Sequence, residues 1–202
     1  IKQGPLRNTP VGAPLTTRRL WRFYIPLALS PLLSILAQPI GAAGINRMPE
    51  TFASLAIWPA LAGLSFMSRS LAIAFNEVVV RHAEDPDGPP ALTRFAWGGG
   101  LALVIVIVVI AATPAAYWWF RHANELPPEF AELAASALWW TALLPLTSFL
   151  HSLYQGLLMQ LGRTRAITEA VAVSLLVTTV TIAIGTQCQP LPGASYTMAA
   201  LT

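Results

Sequence analysis

The feature that most restricts the fold of this chain is its long apolar segments, of which GGGLALVIVIVVIAATPAAYWWF at residues 98–120 is the plainest. About 20 mainly apolar residues are enough for an α-helix to cross the hydrocarbon core of a bilayer. This segment is that long, carries no charged side chain and ends in an aromatic cluster, Tyr117 to Phe120, of the kind found at headgroup level. It therefore predicts a transmembrane helix.

The composition of the whole chain agrees with a bilayer environment. Charged residues make up 10% and hydrophobic residues 55% of the 202 residues, whereas soluble domains average about 25% charged residues. So few charges cannot cover a water-exposed surface. We therefore expect an all-α, polytopic transmembrane helical bundle. Its spans are expected at about 23–45, 52–80, 95–120, 133–161 and 166–186, followed by a partial sixth span at 195–202.

The two ends of the chain differ from the spans. Residues 1–19 are polar, basic and punctuated by proline, and they predict a cytoplasmic linker that precedes a transmembrane lobe at 20–202. The chain begins with Ile rather than Met, and its sixth apolar segment stops after a few residues. We therefore expect a fragment of a longer protein, cut at both ends.

The distribution of basic residues predicts the orientation of the spans. Nine Lys and Arg residues precede span one or lie between spans two and three or spans four and five, whereas only Arg47 and Arg121 lie in the opposite loops. Cytoplasmic loops carry the excess of Lys and Arg in membrane proteins. The N-terminus is therefore expected in the cytoplasm, and the loops 46–51, 121–132 and 187–194 outside, in an integral protein of the bacterial inner (plasma) membrane.

Signatures of an enzyme or of a metal site are missing from the sequence. There is no H-E-x-x-H or G-x-S-x-G pattern, and the three histidines fall in different segments without metal-ligand spacing. The single cysteine, Cys188, excludes an internal disulfide. We expect no enzymatic activity, no cofactor and no metal. The net charge of +3 is explained by orientation, so nucleic acid is not an expected partner.

Prolines interrupt most of the predicted spans. Proline removes a helical hydrogen bond, and lipid tolerates the freed carbonyl only where protein or a water-filled cavity satisfies it. Repeated interruptions are typical of transporters, although prolines are also frequent in membrane helices of other kinds. The prolines concerned are Pro26, Pro31, Pro39, Pro59, Pro114 and Pro145.

Arg69 is the charged residue that the second span places deepest. If this span starts near Thr51, a rise of about 1.5 Å per residue puts Arg69 roughly 8 Å past the midplane. Such a guanidinium has to face a wet cavity or the bundle interior, unless it snorkels to the cytoplasmic rim. Asn76 lies on the same helix face. Three interpretations stay open for Arg69: a cavity-lining cation, a buried hydrogen-bonding hub and a snorkelling side chain.

Three more polar residues are candidates for a substrate cavity. His151 and Gln155 share one face of the fourth span, and Gln38 lies deep in the first. His151 has two interpretations, because its ring titrates near neutral pH but is equally suited to a neutral hydrogen bond with a neighbouring helix.

Two pairs of opposite charge occur at the cytoplasmic ends of spans. Glu77 precedes Arg81 by four residues, and Arg165 precedes Glu169 by four. Side chains four residues apart are neighbours on a helix surface. Both pairs are therefore predicted to be interfacial ion pairs.

The sequence resembles a known family of transporters. LWRFYIPLALSPLLSILAQPIGAAGINR at 20–47, a basic and aromatic entry followed by Pro and Gln-Pro, resembles the start of the second six-helix lobe of MATE-like transporters. These belong to the multidrug/oligosaccharidyl-lipid/polysaccharide flippase superfamily, and the resemblance is nearest to the progressive ankylosis family. Segments 50–80 and 143–167 are similar to the next helix of that lobe and to its fourth helix.

The resemblance implies a twelve-helix secondary transporter of two lobes that works by alternating access. The implied partners are membrane lipids, a preceding six-helix lobe of the same full-length chain and a small organic solute, with a coupling ion left unspecified. Animal members of the ankylosis family are associated with phosphate-bearing or carboxylate metabolites, which points to an anionic solute. Two alternatives remain: a lipid-linked saccharide flippase of the same superfamily and a non-transporting membrane scaffold.

Overall fold

The computed structural model describes residues 17–48, 51–188 and 193–201, with a number of side chains left out inside the helices. In these residues the chain forms helices and turns without any β-strand. The elements are α1 (Thr17–Ile45), α2 (Thr51–His82), α3 (Gly88–Ala112), α4 (Ala115–Trp118), a π-helical turn (Trp119–Ala123), α5 (Pro128–Leu138), a 3-10 turn (Trp139–Thr141), α6 (Leu144–Gln160), α7 (Thr164–Cys188) and α8 (Gly193–Leu201).

Three helical segments are long and apolar enough to cross a membrane: Thr51–His82, Gly88–Ala112 and Arg165–Gln187. Helices α5 and α6 pass the same test as a bent pair, which gives up to four spans among the described residues. The predicted first span lies within α1, where many side chains are outside the described part. The predicted all-α class is thus confirmed for the described residues, and the assignment to a six-helix lobe stays a prediction.

The third predicted span is not one continuous helix. It was expected at 95–120, whereas α3 starts at Gly88, with prolines in its first turn, and ends at Ala112. Thr113 is extended, with φ −113° and ψ 162°, because the residue before a proline is disfavoured in the α conformation. Pro114 follows, and the chain continues in α4 and the π-helical turn.

The fourth predicted span, 133–161, is broken as well. Helix α5 begins at Pro128, and α6 begins at Leu144 after a bend of 40°. Pro145 lies in the first turn of α6. Its ring would clash with the carbonyl of Thr141 in a continuous helix, and it has no N–H to donate. The bend therefore follows from Pro145.

Most of the buried apolar residues belong to one of two clusters that have no residue in common. The first contains Ile57 and Leu61 of α2 with Phe120 and Leu138. The second contains Phe75 and Val79 of α2 with Ala96 of α3 and Phe149 and Leu153 of α6. Helix α6 packs on both α2 and α3, and α1 packs on α7.

Gly156 allows a close approach between α2 and α6. A Cβ atom built at Gly156 would lie 2.7 Å from Cγ1 of Val79 and 3.2 Å from the carbonyl oxygen of Asn76. Small residues at helix contacts in membranes permit such close backbone packing. This contact fixes how α6 presents its polar residues beside those of α2.

The remaining predicted boundaries are close to the observed ones. Span 166–186 corresponds to α7, and the partial span 195–202 corresponds to α8, with Thr202 outside the described residues. The predicted linker 1–19 lies outside the described part up to residue 16, and α1 begins at Thr17.

Candidate functional site

The candidate site is a polar face built by α2 and α6. It consists of Arg69 and Asn76 from α2 with His151 and Gln155 from α6, and we call it the α2–α6 face. Seven residues separate the two members on α2 and four separate those on α6, so each pair lies on one side of its helix. The sequence predicted these four residues, and the structure brings their two helices into contact.

Arg69 is exposed on this face. Its guanidinium forms no hydrogen bond or ion pair with any described residue. The described contacts therefore favour the cavity-lining or the snorkelling interpretation over the buried hub. A guanidinium near the middle of a membrane-spanning helix costs at least about 2.5–3.5 kcal/mol on insertion scales when it faces lipid.

His151 is exposed as well, and it lies on α6, the helix that packs on α2. No Asp or Glu side chain pairs with either residue in the part of the chain that the structure describes. The α2–α6 face thus presents a cation and an imidazole without a neutralising carboxylate. Such an arrangement can attract an anionic group.

Asn76 holds the two helices of the face together. Its side-chain Nδ2 donates a hydrogen bond to the carbonyl oxygen of Ser152, at 2.9 Å. Interhelical hydrogen bonds of this kind contribute about 0.6 kcal/mol on average in a membrane protein. Asn76 was predicted as a cavity residue, and in the structure it connects α2 to α6 close to the contact between Gly156 and Val79.

Gln155 is half-buried one turn after His151, and its amide has no hydrogen bond to a described residue. Ser65 lies one turn before Arg69 on the same predicted polar stripe of α2, and its buried hydroxyl has no hydrogen-bond partner in the described part either. An unpaired buried hydroxyl costs about 1–3 kcal/mol. The side chain of Gln38 lies outside the described residues.

The two predicted ion pairs differ in the structure. Arg165 Nε lies 2.8 Å from Glu169 Oε1. Glu77 and Arg81 are both exposed and do not pair with each other. An exposed pair at this spacing is worth only about 0.3–0.5 kcal/mol, so little free energy holds two long side chains together at the end of α2.

Two polar contacts at the C-terminal end of α2 were not predicted. His82 Nδ1 lies 2.8 Å from Asp85 Oδ2, and Gln160 Nε2 donates to Glu84 Oε1 at 2.6 Å. The second contact joins the loop after α2 to the end of α6. Because its members are 76 residues apart, spacing along the sequence carries no signal for it.

The described residues define a class of protein: an all-α chain with three helices, or four with the bent pair, that are long and apolar enough to span a membrane. No group of three or more His, Cys, Asp or Glu side chains in these residues is arranged to hold a metal ion. No protein-family model, no curated protein and no solved structure matches the chain. A function therefore has to be inferred from the α2–α6 face.

Proposed function

We propose that this chain is one lobe of a secondary active transporter that moves a small organic solute, in the first instance an anion, across the membrane by alternating access. The lobe would be the second six-helix lobe of a MATE-like transporter, nearest to the progressive ankylosis family. The observation that carries this proposal is the exposed, unpaired Arg69 on the α2–α6 face, to which His151 of α6 also belongs.

The cost of a charge in lipid supports this proposal. If the guanidinium of Arg69 faced hydrocarbon, no described contact would offset the cost of removing it from water. If it faces a water-filled cavity, it keeps its hydration. The four residues of the face would then line a cavity between this lobe and the preceding one. Arg69 would supply positive charge, His151 and Gln155 hydrogen bonds, and Asn76 the link that holds the face in place.

The two helix breaks also support a transporter. Backbone that leaves the helical conformation at membrane depth is tolerated where protein or a cavity satisfies its polar groups, and discontinuous helices are frequent in secondary transporters. Thr113 and Pro114 break the third predicted span, and the 40° bend before α6 breaks the fourth.

The test is to replace Arg69 by Leu in the full-length protein. Uptake of a panel of di- and tricarboxylates and phosphate esters is measured in proteoliposomes, together with the thermal unfolding midpoint. Loss of one charge-assisted contact, worth about 1.5–3 kcal/mol, should lower transport at least about tenfold, since about 1.4 kcal/mol is a factor of ten. The unfolding midpoint should stay close to that of the unmodified protein.

Arg163→Leu is the matched control, because Arg163 is exposed in the turn between α6 and α7 and away from the face. It should transport normally. Equal transport by the Arg69→Leu variant would contradict the proposed role. Transport restricted to lipid-linked saccharides would favour the flippase alternative, and no transport of any solute by the unmodified protein would favour a scaffold.

A further inference from the structure

A second feature of the molecule, independent of the α2–α6 face, is a groove between α2 and α3. It has a volume of ≈ 820 Å³. Its long walls are apolar, with Leu71 and Val78 of α2 facing Phe95 and Leu103 of α3, and Phe149 of α6 closing one side. Phe75 stacks on Phe95 with ring centroids 5.1 Å apart. The groove is therefore formed by packed aromatic and aliphatic side chains.

This groove lies on the side of α2 that is opposite to Arg69. Val78 is nine residues after Arg69, and at 3.6 residues per turn this separation is about two and a half turns. Leu71, Val78 and Phe95 are 55%, 47% and 59% exposed. An apolar surface of this kind on a membrane-spanning helix is suited to hydrocarbon, so the groove opens toward lipid and away from the proposed solute cavity.

The length of the groove matches one leaflet. Leu71 and His82 delimit it on α2, and their separation of eleven residues corresponds to about 16 Å along the helix axis. Half of the hydrocarbon core of a bilayer is about 15 Å thick. An acyl chain could thus lie along the apolar walls over a length of about 16 Å, starting from the polar end of the groove.

One end of the groove is polar and acidic. It is lined by His82, Asp85 and Asp87 at the turn between α2 and α3, with no Lys or Arg among the lining residues. Asp85 is paired with His82 at 2.8 Å. Asp87 precedes α3 at its N-cap position, but its carboxylate makes no capping hydrogen bond. A free carboxylate therefore stands at the headgroup end of an apolar groove.

Gly88 keeps this polar end in a compact turn. Its backbone N–H donates to the carbonyl of Asp85 at 2.9 Å, and a Cβ atom at Gly88 would overlap the carbonyl oxygen of His82. Gln160 also holds the turn through Glu84. Asp87 is therefore presented to the groove by a turn that is fixed at both ends.

From these observations we infer that the α2–α3 groove binds a phospholipid whose headgroup carries a primary ammonium group, with an acyl chain along the apolar walls and the ammonium at Asp87. The orientation predicted from the basic residues assigns this lipid to the cytoplasmic leaflet. The acidic end repels headgroups that carry net negative charge, so the groove selects phosphatidylethanolamine over phosphatidylglycerol. This inference does not depend on the proposed transport function.

The test is native mass spectrometry of the purified full chain, titrated with dioleoyl phosphatidylethanolamine or dioleoyl phosphatidylglycerol. The fraction of protein that retains one lipid should be about fivefold higher for phosphatidylethanolamine, the factor expected for one surface ion pair. Asp87→Asn should lower this retention to the level of phosphatidylglycerol. Glu129→Gln, which removes an exposed carboxylate far from the groove, should leave it unchanged.

A second pair of variants tests the apolar walls. Ala102 lines the groove, whereas Ala112 at the end of α3 does not, and both are exposed. Ala102→Trp should fill the groove and abolish preferential retention, and Ala112→Trp should retain lipid as the unmodified protein does. Equal retention of the two lipids, an unchanged Asp87→Asn variant, or retention of dodecyltrimethylammonium in place of phosphatidylethanolamine would each overturn the inference.

Discussion

Gly156 of α6 lies so close to Val79 of α2 that a Cβ atom on the glycine would be 2.7 Å from Cγ1 of the valine. No rotation of the valine alone relieves this overlap, because the Cβ of Val79 would be only 2.8 Å away. The contact lies next to the hydrogen bond from Asn76 to Ser152. Packing of α2 on α6, and with it the geometry of the polar face, therefore depends on a hydrogen atom in place of a side chain at residue 156.

Replacing Gly156 by Ala should destabilise the protein. Inserting a methyl group into a packed contact costs about 1–3 kcal/mol. The measurement is the free energy of unfolding in detergent. Gly63→Ala is the matched control, because a Cβ at Gly63 meets no atom within 4 Å; that change should stabilise α2 by about 0.4–1 kcal/mol. Equal effects of the two changes would contradict the close helix contact.

Substitutions of Asn76 and Gln155 should have different effects on stability and on transport. Asn76→Leu removes the hydrogen bond to Ser152 and should lower the free energy of unfolding by about 0.6–1.7 kcal/mol. Gln155 has no hydrogen bond to a described residue, so Gln155→Leu should leave that free energy nearly unchanged and reduce transport. A loss of stability in Gln155→Leu, together with unchanged stability in Asn76→Leu, would contradict the roles assigned to these two side chains.

The orientation of the chain can be tested by cysteine labelling in a Cys188→Ser background. A cysteine at position 125 should react with a membrane-impermeant maleimide added outside intact cells, and one at position 85 should react only after the membrane is opened. The expectation rests on the excess of Lys and Arg in the loops on one side. Labelling of position 85 alone from outside would reverse the assigned topology.

Glu169→Gln should have little effect on stability, even though its carboxylate lies 2.8 Å from Arg165. The two side chains are 63% and 87% exposed, and water screens such a pair to about 0.3–0.5 kcal/mol. The thermal unfolding midpoint, measured at low and high salt, should therefore shift only slightly. A large shift that disappears at high salt would show that the pair contributes more than its exposure implies.

The sequence predicted the helical class, which is confirmed for the described residues, because that class depends on local information. Apolar length identifies helices that suit a bilayer, and spacing of three or four residues assigns Arg69 and Asn76 to one side of α2. The hydrogen bond from Asn76 to Ser152 joins residues 76 positions apart. No periodicity within one segment contains that information, so the role of Asn76 as a helix connection emerged only in three dimensions.

The helix breaks show a similar limit. Pro114 and Pro145 were recognised in the sequence as interruptions within the spans 95–120 and 133–161. A proline in a helix permits either a kink or an end, and the neighbours that satisfy the freed carbonyls decide between them. In the structure Pro114 follows the end of α3, where Thr113 is extended, whereas Pro145 lies in the first turn of α6, after a bend of 40°.

The two clusters of buried residues follow one another along α2. On α2 the first cluster ends with Leu61 and the second begins with Ala72. Arg69 lies on α2 between these two residues. Because α2 and α3 each contribute buried residues to both clusters, a tilt of one cluster against the other has to bend these two helices, and Arg69 lies where α2 would bend.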